Sequence, residues 1–205
     1  MSKIFWGKEM MARQRLGPRI VDGKFLGRPL IERDTRISGG VYISQNARLA
    51  IRVDADSFAI SSLYEKVLKE AGKSFMLDQI SERVFLDHVS VAVKETIKSD
   101  TSGFLETMEE FINASDHKIS LDDFIEMGIG DCRIFALLSG VLIEKLIDDR
   151  FIAGKVSIDR NVILNFGGHV WARFENTEGK VTIVDIANDY IGPEEGGPWI
   201  YKRPE

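Results

Sequence analysis

The alternation of apolar and polar positions divides the chain into three stretches. Up to about residue 57, short apolar runs alternate with glycine-bearing turns. Arg19 to Leu26 places Asp22-Gly23 between two apolar pieces, the strongest short-range hairpin signal. Gly39-Gly40 then punctuates the chain before Val41-Tyr42-Ile43, and Leu49 to Val53 is rich in β-branched residues, so small β-structure is expected here.

The second stretch, 58–118, has helical periodicity. Ser62-Leu63-Tyr64-Glu65 matches a capping box, Leu63, Val67 and Leu68 give one apolar face, and Gly72 suits a C-cap. A longer helix is expected from about Asp78 to Lys98, with Ile80, Val84 and Val91 at near-helical spacing, and another around Phe104, Leu105, Met108, Phe111 and Ile112. Ser120 to Asp123 starts one more short turn.

The third stretch opens with the most apolar helix, residues 132 to 147, which carries apolar side chains on nearly every side and is therefore expected to be central. Ala136, Ser139 and Gly140 are small enough to admit other elements close to its backbone. Strands are expected at Phe151 to Ala153, Val156 to Ile158, His169 to Phe174 and Val181 to Ile186, with a turn at Asn176 to Gly179. Asp159 to Gly168 reads as a loop bordering a cleft, and Gly192 to Pro198 as an ordered or loosely held terminus. The expectation is one α+β domain: a β-rich elaboration (about 1–57), a helical part (58–118) and a core (119–205).

Charge changes this picture little. Lys and Arg number 27 against 32 Asp and Glu, a net charge of −5. That balance lacks the basic surplus that drives nucleic-acid binding, and Arg13, Arg15 and Arg19 read as a solvated arm. Met1 to Leu16 has no continuous apolar h-region, and no apolar run approaches the roughly 20 residues that span a bilayer. A reducing compartment, the cytoplasm, is the expected location. Cys132 is the single cysteine and cannot form an intramolecular disulfide. His88, His117 and His169 are scattered without zinc-ligand spacing, so no metal or cofactor is expected.

Candidate chemistry centres on Gly128-Ile129-Gly130-Asp131-Cys132-Arg133. Asp131 is a good N-cap type, which sets Cys132 in the first helical turn, where the helix dipole favours a thiolate. The Asp131 carboxylate works against it, and the bland alternative is a small buried hydrophobe. His169 follows Gly167-Gly168 on a strand whose alternation groups His169, Trp171 and Arg173 on one face. A hairpin symmetric about Thr177 pairs Trp171 with Ile183 and His169 with Asp185, within reach of an imidazole–carboxylate hydrogen bond. A one-residue bulge would turn Asp185 away and leave Asp189 or Asn188 as the next partner. His88 and His117, beside Asp87 and Asp116, read as solvated or locally hydrogen-bonded.

Gly130-Asp131-Cys132 before an alanine- and leucine-bearing helix, then Gly168-His169-Val170-Trp171, then Ile183-Val184-Asp185, resembles the transglutaminase-like superfamily. The resemblance covers about residues 120 to 190. It implies a papain-like α+β core in which a helix with the nucleophile at its N-terminus packs on an antiparallel sheet. It also implies Cys132 as nucleophile, His169 as general base and acid, and Asp185 as the orienter of His169. Substrate or oxyanion contacts are expected from Asp131, Gly168, Trp171 and Asn188. No glutamine lies between Gln79 and Cys132 to serve the oxyanion, and the Cys132 backbone N–H is one donor. The expected activity is thiol-dependent amide hydrolysis, as in a cysteine peptidase acting on a protein or peptide. The alternatives are acyl transfer or deamidation by the same triad, and a silent binding module using the acidic surface, the N-terminal β-hairpin and Trp199-Ile200-Tyr201 as a protein-contact surface.

Overall fold

A computed structural model describes residues 20–43, 50–74, 81–99, 118–163 and 167–203. The N-terminal hairpin forms where Asp22-Gly23 calls for it. β1 (Ile20–Val21) and β2 (Lys24–Phe25) are joined by Asp22 and Gly23 at φ 50° and 70°, and β3 (Arg28–Pro29) follows through a second tight turn. β4 (Val41–Ile43) and β5 (Ala50–Arg52) pair antiparallel, and β5 also pairs in parallel with β7 (Lys118–Ser120). The arginines of the expected N-terminal arm lie outside the described residues.

The first helix differs from its expected bounds. α1 runs Phe58–Ser74, so the Ser62 capping box and Gly72 both sit inside it. The start moves forward because Ser57 takes the capping role: its hydroxyl accepts from the Ile60 N–H at 3.4 Å and donates to Asp122 at 2.7 Å. α2 spans Glu82–Thr96, ending in β6 (Lys98–Ser99). The helix expected around Phe104 to Ile112, and the start of the one expected from Asp78, fall outside the described residues. α3 (Leu121–Met127) carries the capping box of Ser120 and Asp123 and ends on Gly128 at φ 68°. β8 (Ile129–Gly130) then pairs in parallel with β6.

α4 (Cys132–Asp148) is the central element. Ile134, Leu137, Leu138, Val141, Leu142, Ile143 and Leu146 are all fully buried, in one core that also takes Ile37, Ile51, Ile60, Phe85, Phe124 and Phe174. That core therefore draws on all three stretches of the sequence. A Cβ at Gly140 would stand 2.6 Å from Ile158 Cδ1 and 2.9 Å from Ile37 Cδ1, so the small residue sets how closely the helix meets the sheet.

The sheet has the order β12-β11-β10-β9 and is antiparallel throughout, from β9 (Gly154–Ile163), β10 (Gly167–Asn176), β11 (Val181–Asp185) and β12 (Tyr190–Gly192). Phe151 to Ala153 is a bend leaving α4, with the Phe151 and Ile152 N–H groups returning to Leu146, rather than the expected strand. Asp159 to Ile163 is strand, not loop, because each residue pairs with β10. Residues 164–166 lie outside the described set. β12 is not among the strands expected from the sequence.

Both faces of β10 are covered. Val170, Ala172 and Phe174 pack with α4 in the main core. Trp171, on the other face, forms a separate cluster with Ile183 and Tyr201, joined by Tyr190 and Trp199. Trp199 and Tyr201 of that second layer belong to the C-terminal segment, which crosses the strands. Among the described residues, no helix is long and apolar enough to cross a membrane.

Candidate active site

The turn that presents Cys132 is built from its glycines upward. Gly128 ends α3 in the left-handed region, and Gly130 sits where a Cβ would be 2.7 Å from Ile134 Cβ and 2.9 Å from Ile97 Cγ2. Asp131 then caps α4, accepting the Arg133 N–H at 2.9 Å. Its other oxygen takes Arg133 Nε at 2.7 Å and Nη2 at 2.5 Å. The charge expected to oppose a thiolate is thus neutralised by the residue that follows Cys132. Cys132 itself is half-buried at the first position of the helix.

The hairpin register differs from expectation by two residues. Ala172 faces Val184 and Arg173 faces Ile183, so the turn is centred on Glu178 rather than Thr177. The cause is a three-residue loop with Gly179 at φ 78°, in which Asn176 Oδ1 accepts the N–H groups of Glu178 and Lys180 at 3.0 and 2.9 Å. A slip of two preserves the face. Asp185 still lies on the His169 side of the sheet, as a diagonal neighbour instead of a direct one.

His169 Nε2 is 2.6 Å from Asp185 Oδ2, with both side chains nearly removed from solvent. Asn188 donates to the same oxygen at 2.8 Å, with its nitrogen 3.0 Å from the His169 ring, and Tyr201 donates its hydroxyl proton there at 2.7 Å. Asp185 Oδ1 is buried without a hydrogen-bond partner. With Nε2 committed to the carboxylate, Nδ1 is the nitrogen left to face the Cys132 thiol, which lies close enough to raise the imidazole. Burial opposes a charged imidazole. The hydrogen bonds to Asp185 and Cys132, with the attraction of their charges, outweigh it and push His169 up to about 9.

The remaining expected residues separate. Asn188, on a short 3-10 turn (Ile186–Asn188), joins the His169–Asp185 pair. Trp171 is buried beneath Tyr201, ring centroids 5.2 Å apart, and its indole lies 6.0 Å from His169. Gly168 is exposed strand backbone opposite Val162. Asp189 is largely exposed and ion-pairs with Lys94, away from the imidazole. His88 lies on α2 outside this cluster, and His117 is outside the described residues.

Sequence reasoning missed Tyr201 and Trp199 as members of the site. Trp199 sits 5.0 Å from the His169 ring and donates its indole N–H to Asn161 Oδ1 at 2.6 Å. Asn161 faces His169 across the β9–β10 ladder. Nothing in the local pattern of Trp199 to Tyr201 announces a return to the sheet. One cleft of about 340 Å³ lies between Ile31, Arg33, Tyr42, Ile158 and Arg160. Burial raises the Tyr42 hydroxyl, with Arg160 opposing and the charge of Cys132 adding to the shift.

Comparison with protein-family models, with curated proteins and with solved structures finds no match to this chain.

Proposed function

We propose that the chain is a thiol-dependent amide hydrolase with a papain- or transglutaminase-like core, working through a thioester on Cys132. The observation that carries this reading is one imidazole bonded to a carboxylate at 2.6 Å and raised to about 9 in part by the single thiol of the sequence. Cys132 Sγ attacks the carbonyl carbon of a carboxamide or peptide, and the oxyanion develops near the Cys132 backbone N–H at the start of α4. His169, elevated to about 9, carries a proton at neutral pH and delivers it to the departing nitrogen as the C–N bond breaks. Water then attacks the thioester carbonyl, gives a proton to His169, and releases the acid with the thiolate restored. Asp185 holds the imidazole in the tautomer this cycle needs.

The substrate class is a protein or peptide amide, and the working compartment is a reducing one that keeps Cys132 free. Iodoacetamide labelling against pH tests the pairing. Cys132 alkylates at well below the roughly pH 8.5 of a free thiol if the imidazolium partners it. Labelling confined to the free-thiol range, or succeeding only after unfolding, overturns the reading in favour of a silent module. On an amide substrate, Cys132→Ala abolishes turnover. With a primary amine added, free acid identifies hydrolysis and an amide-linked product identifies transfer.

A further inference from the structure

The C-terminal segment Trp199–Arg203 lies across the face of the sheet that carries His169. Ser157, Asp159 and Asn161 of β9 stand opposite Arg173, Trp171 and His169 of β10, and the segment bonds to this row in sequence. Trp199 donates to Asn161, and Asn161 donates to the Ile200 carbonyl at 2.5 Å. Arg203 grips the wholly buried Asp159 with Nε at 2.7 Å and Nη2 at 2.8 Å, reaches Ser157 at 2.8 Å, and spans to Asp34 at 2.9 and 3.0 Å. Between these two anchors Tyr201 is fully buried, stacked on Tyr190 at 5.4 Å and edge-on to Trp171 at 5.2 Å. Its hydroxyl points to Asp185.

We infer that Tyr201 is a positioning residue for the thiol–imidazole pair, its buried hydroxyl fixing the Asp185 carboxylate so that Oδ2 stays on His169. The inference rests on the reading of Cys132 and His169 as a functional pair. A carboxylate at the end of β11 can turn about its Cα–Cβ and Cβ–Cγ bonds. Here three donors, from His169, Asn188 and Tyr201, meet one oxygen and leave the other bare, an arrangement that selects one orientation. Asn188 is three residues from Asp185 and follows its backbone. Tyr201 comes from a separate segment with its own anchors, so it supplies the fixed reference. Burial, and then the hydrogen bond to Asp185, raise the Tyr201 hydroxyl well above its usual range, so it stays a donor wherever the imidazole titrates.

The test is Tyr201→Phe in the full chain, read by the pH dependence of iodoacetamide labelling at Cys132, with thermal unfolding to verify the fold. The substitution keeps the ring, and with it both aromatic contacts, and removes only the donor. The labelling midpoint is expected to move upward by about one pH unit toward the ~8.5 of a free thiol as Asp185 loses its orientation. Tyr190→Phe, which deletes a hydroxyl bonded to Pro193 in the same aromatic stack, leaves the midpoint in place. An unchanged midpoint in Y201F, or a downward one, overturns the positioning role. If Y201F does not fold, 4-aminophenylalanine in place of Tyr201 keeps the ring and a weaker donor and must give a smaller upward displacement; none overturns it. A parent that never labels below the free-thiol range defeats the functional reading itself, a result distinct from these.

Discussion

Glu144, buried on α4, accepts the backbone N–H of Ile37 at 2.8 Å and that of Ser38 at 2.7 Å. The central helix thereby holds the loop between β3 and β4 by a charge-assisted pair of bonds. Replacing Glu144 with Ala leaves two amides without their acceptor, one of them in the core. Urea unfolding is expected to show a loss of about 2–4 kcal/mol. Labelling of Cys132 in the folded fraction should keep its pH dependence, because Glu144 sits twelve positions along the helix from the thiol.

The elevated His169 makes stability depend on pH with a definite sign. Its folded value of about 9 lies above the ordinary 6.5, so the stabilisation is complete below pH 6.5 and disappears as pH rises through 9. Asp185→Asn removes the strongest charge partner. The gap in unfolding free energy between parent and D185N is expected to include a part of up to about 3 kcal/mol at pH 6 that closes by pH 10. A gap that widens with pH contradicts the assignment, and NMR titration of the imidazole gives the same quantity directly.

Arg133 offers a lever on the Cys132 thiol. Asp131→Ser retains an N-cap oxygen for the Arg133 N–H while removing the carboxylate that holds the guanidinium. The negative charge nearest the start of α4 is then gone, and the guanidinium charge beside the thiol is no longer neutralised by Asp131. Alkylation of Cys132 at neutral pH should quicken, while stability falls by about 1–3 kcal/mol because a mostly buried guanidinium loses its carboxylate.

Gly130, at the end of β8, and Gly140, within α4, should respond differently to alanine. At Gly130 the added methyl meets the branched Cβ of Ile134, which cannot rotate away, and destabilisation of about 3 kcal/mol is expected. At Gly140 it meets the δ-methyls of Ile158 and Ile37, which can turn aside, and the gain of about 1 kcal/mol in helix propensity offsets much of the strain. Thermal melts of the two variants give the order.

Much of this arrangement was legible in the residues. The apolar run from Ile134 to Ile147 announced a central helix, and period-two alternation put His169 and Asp185 on one face. The register was out by two because Gly179 permits a three-residue loop that a symmetric two-strand sketch does not distinguish. The face was right because side-chain direction depends only on parity. α1 starts early because Ser57 is tied to Asp122, a partner 65 positions away. Trp199 and Tyr201 escaped for a related reason. Their role comes from where the chain returns, and local periodicity records no return.

The parallel pairing of Lys98–Ser99 with Ile129–Gly130 fastens the exit of α2 to the turn that presents Cys132, with the Lys98 N–H held by the Gly128 carbonyl at 2.8 Å. Two residues on each side make this a short clasp, and short clasps open more readily than the core beside them. The address of the thiol is therefore written in two distant parts of the chain at once. Hydrogen exchange at Lys98 reports the fraction of time that address is lost, while α4, sealed in the core, remains helical.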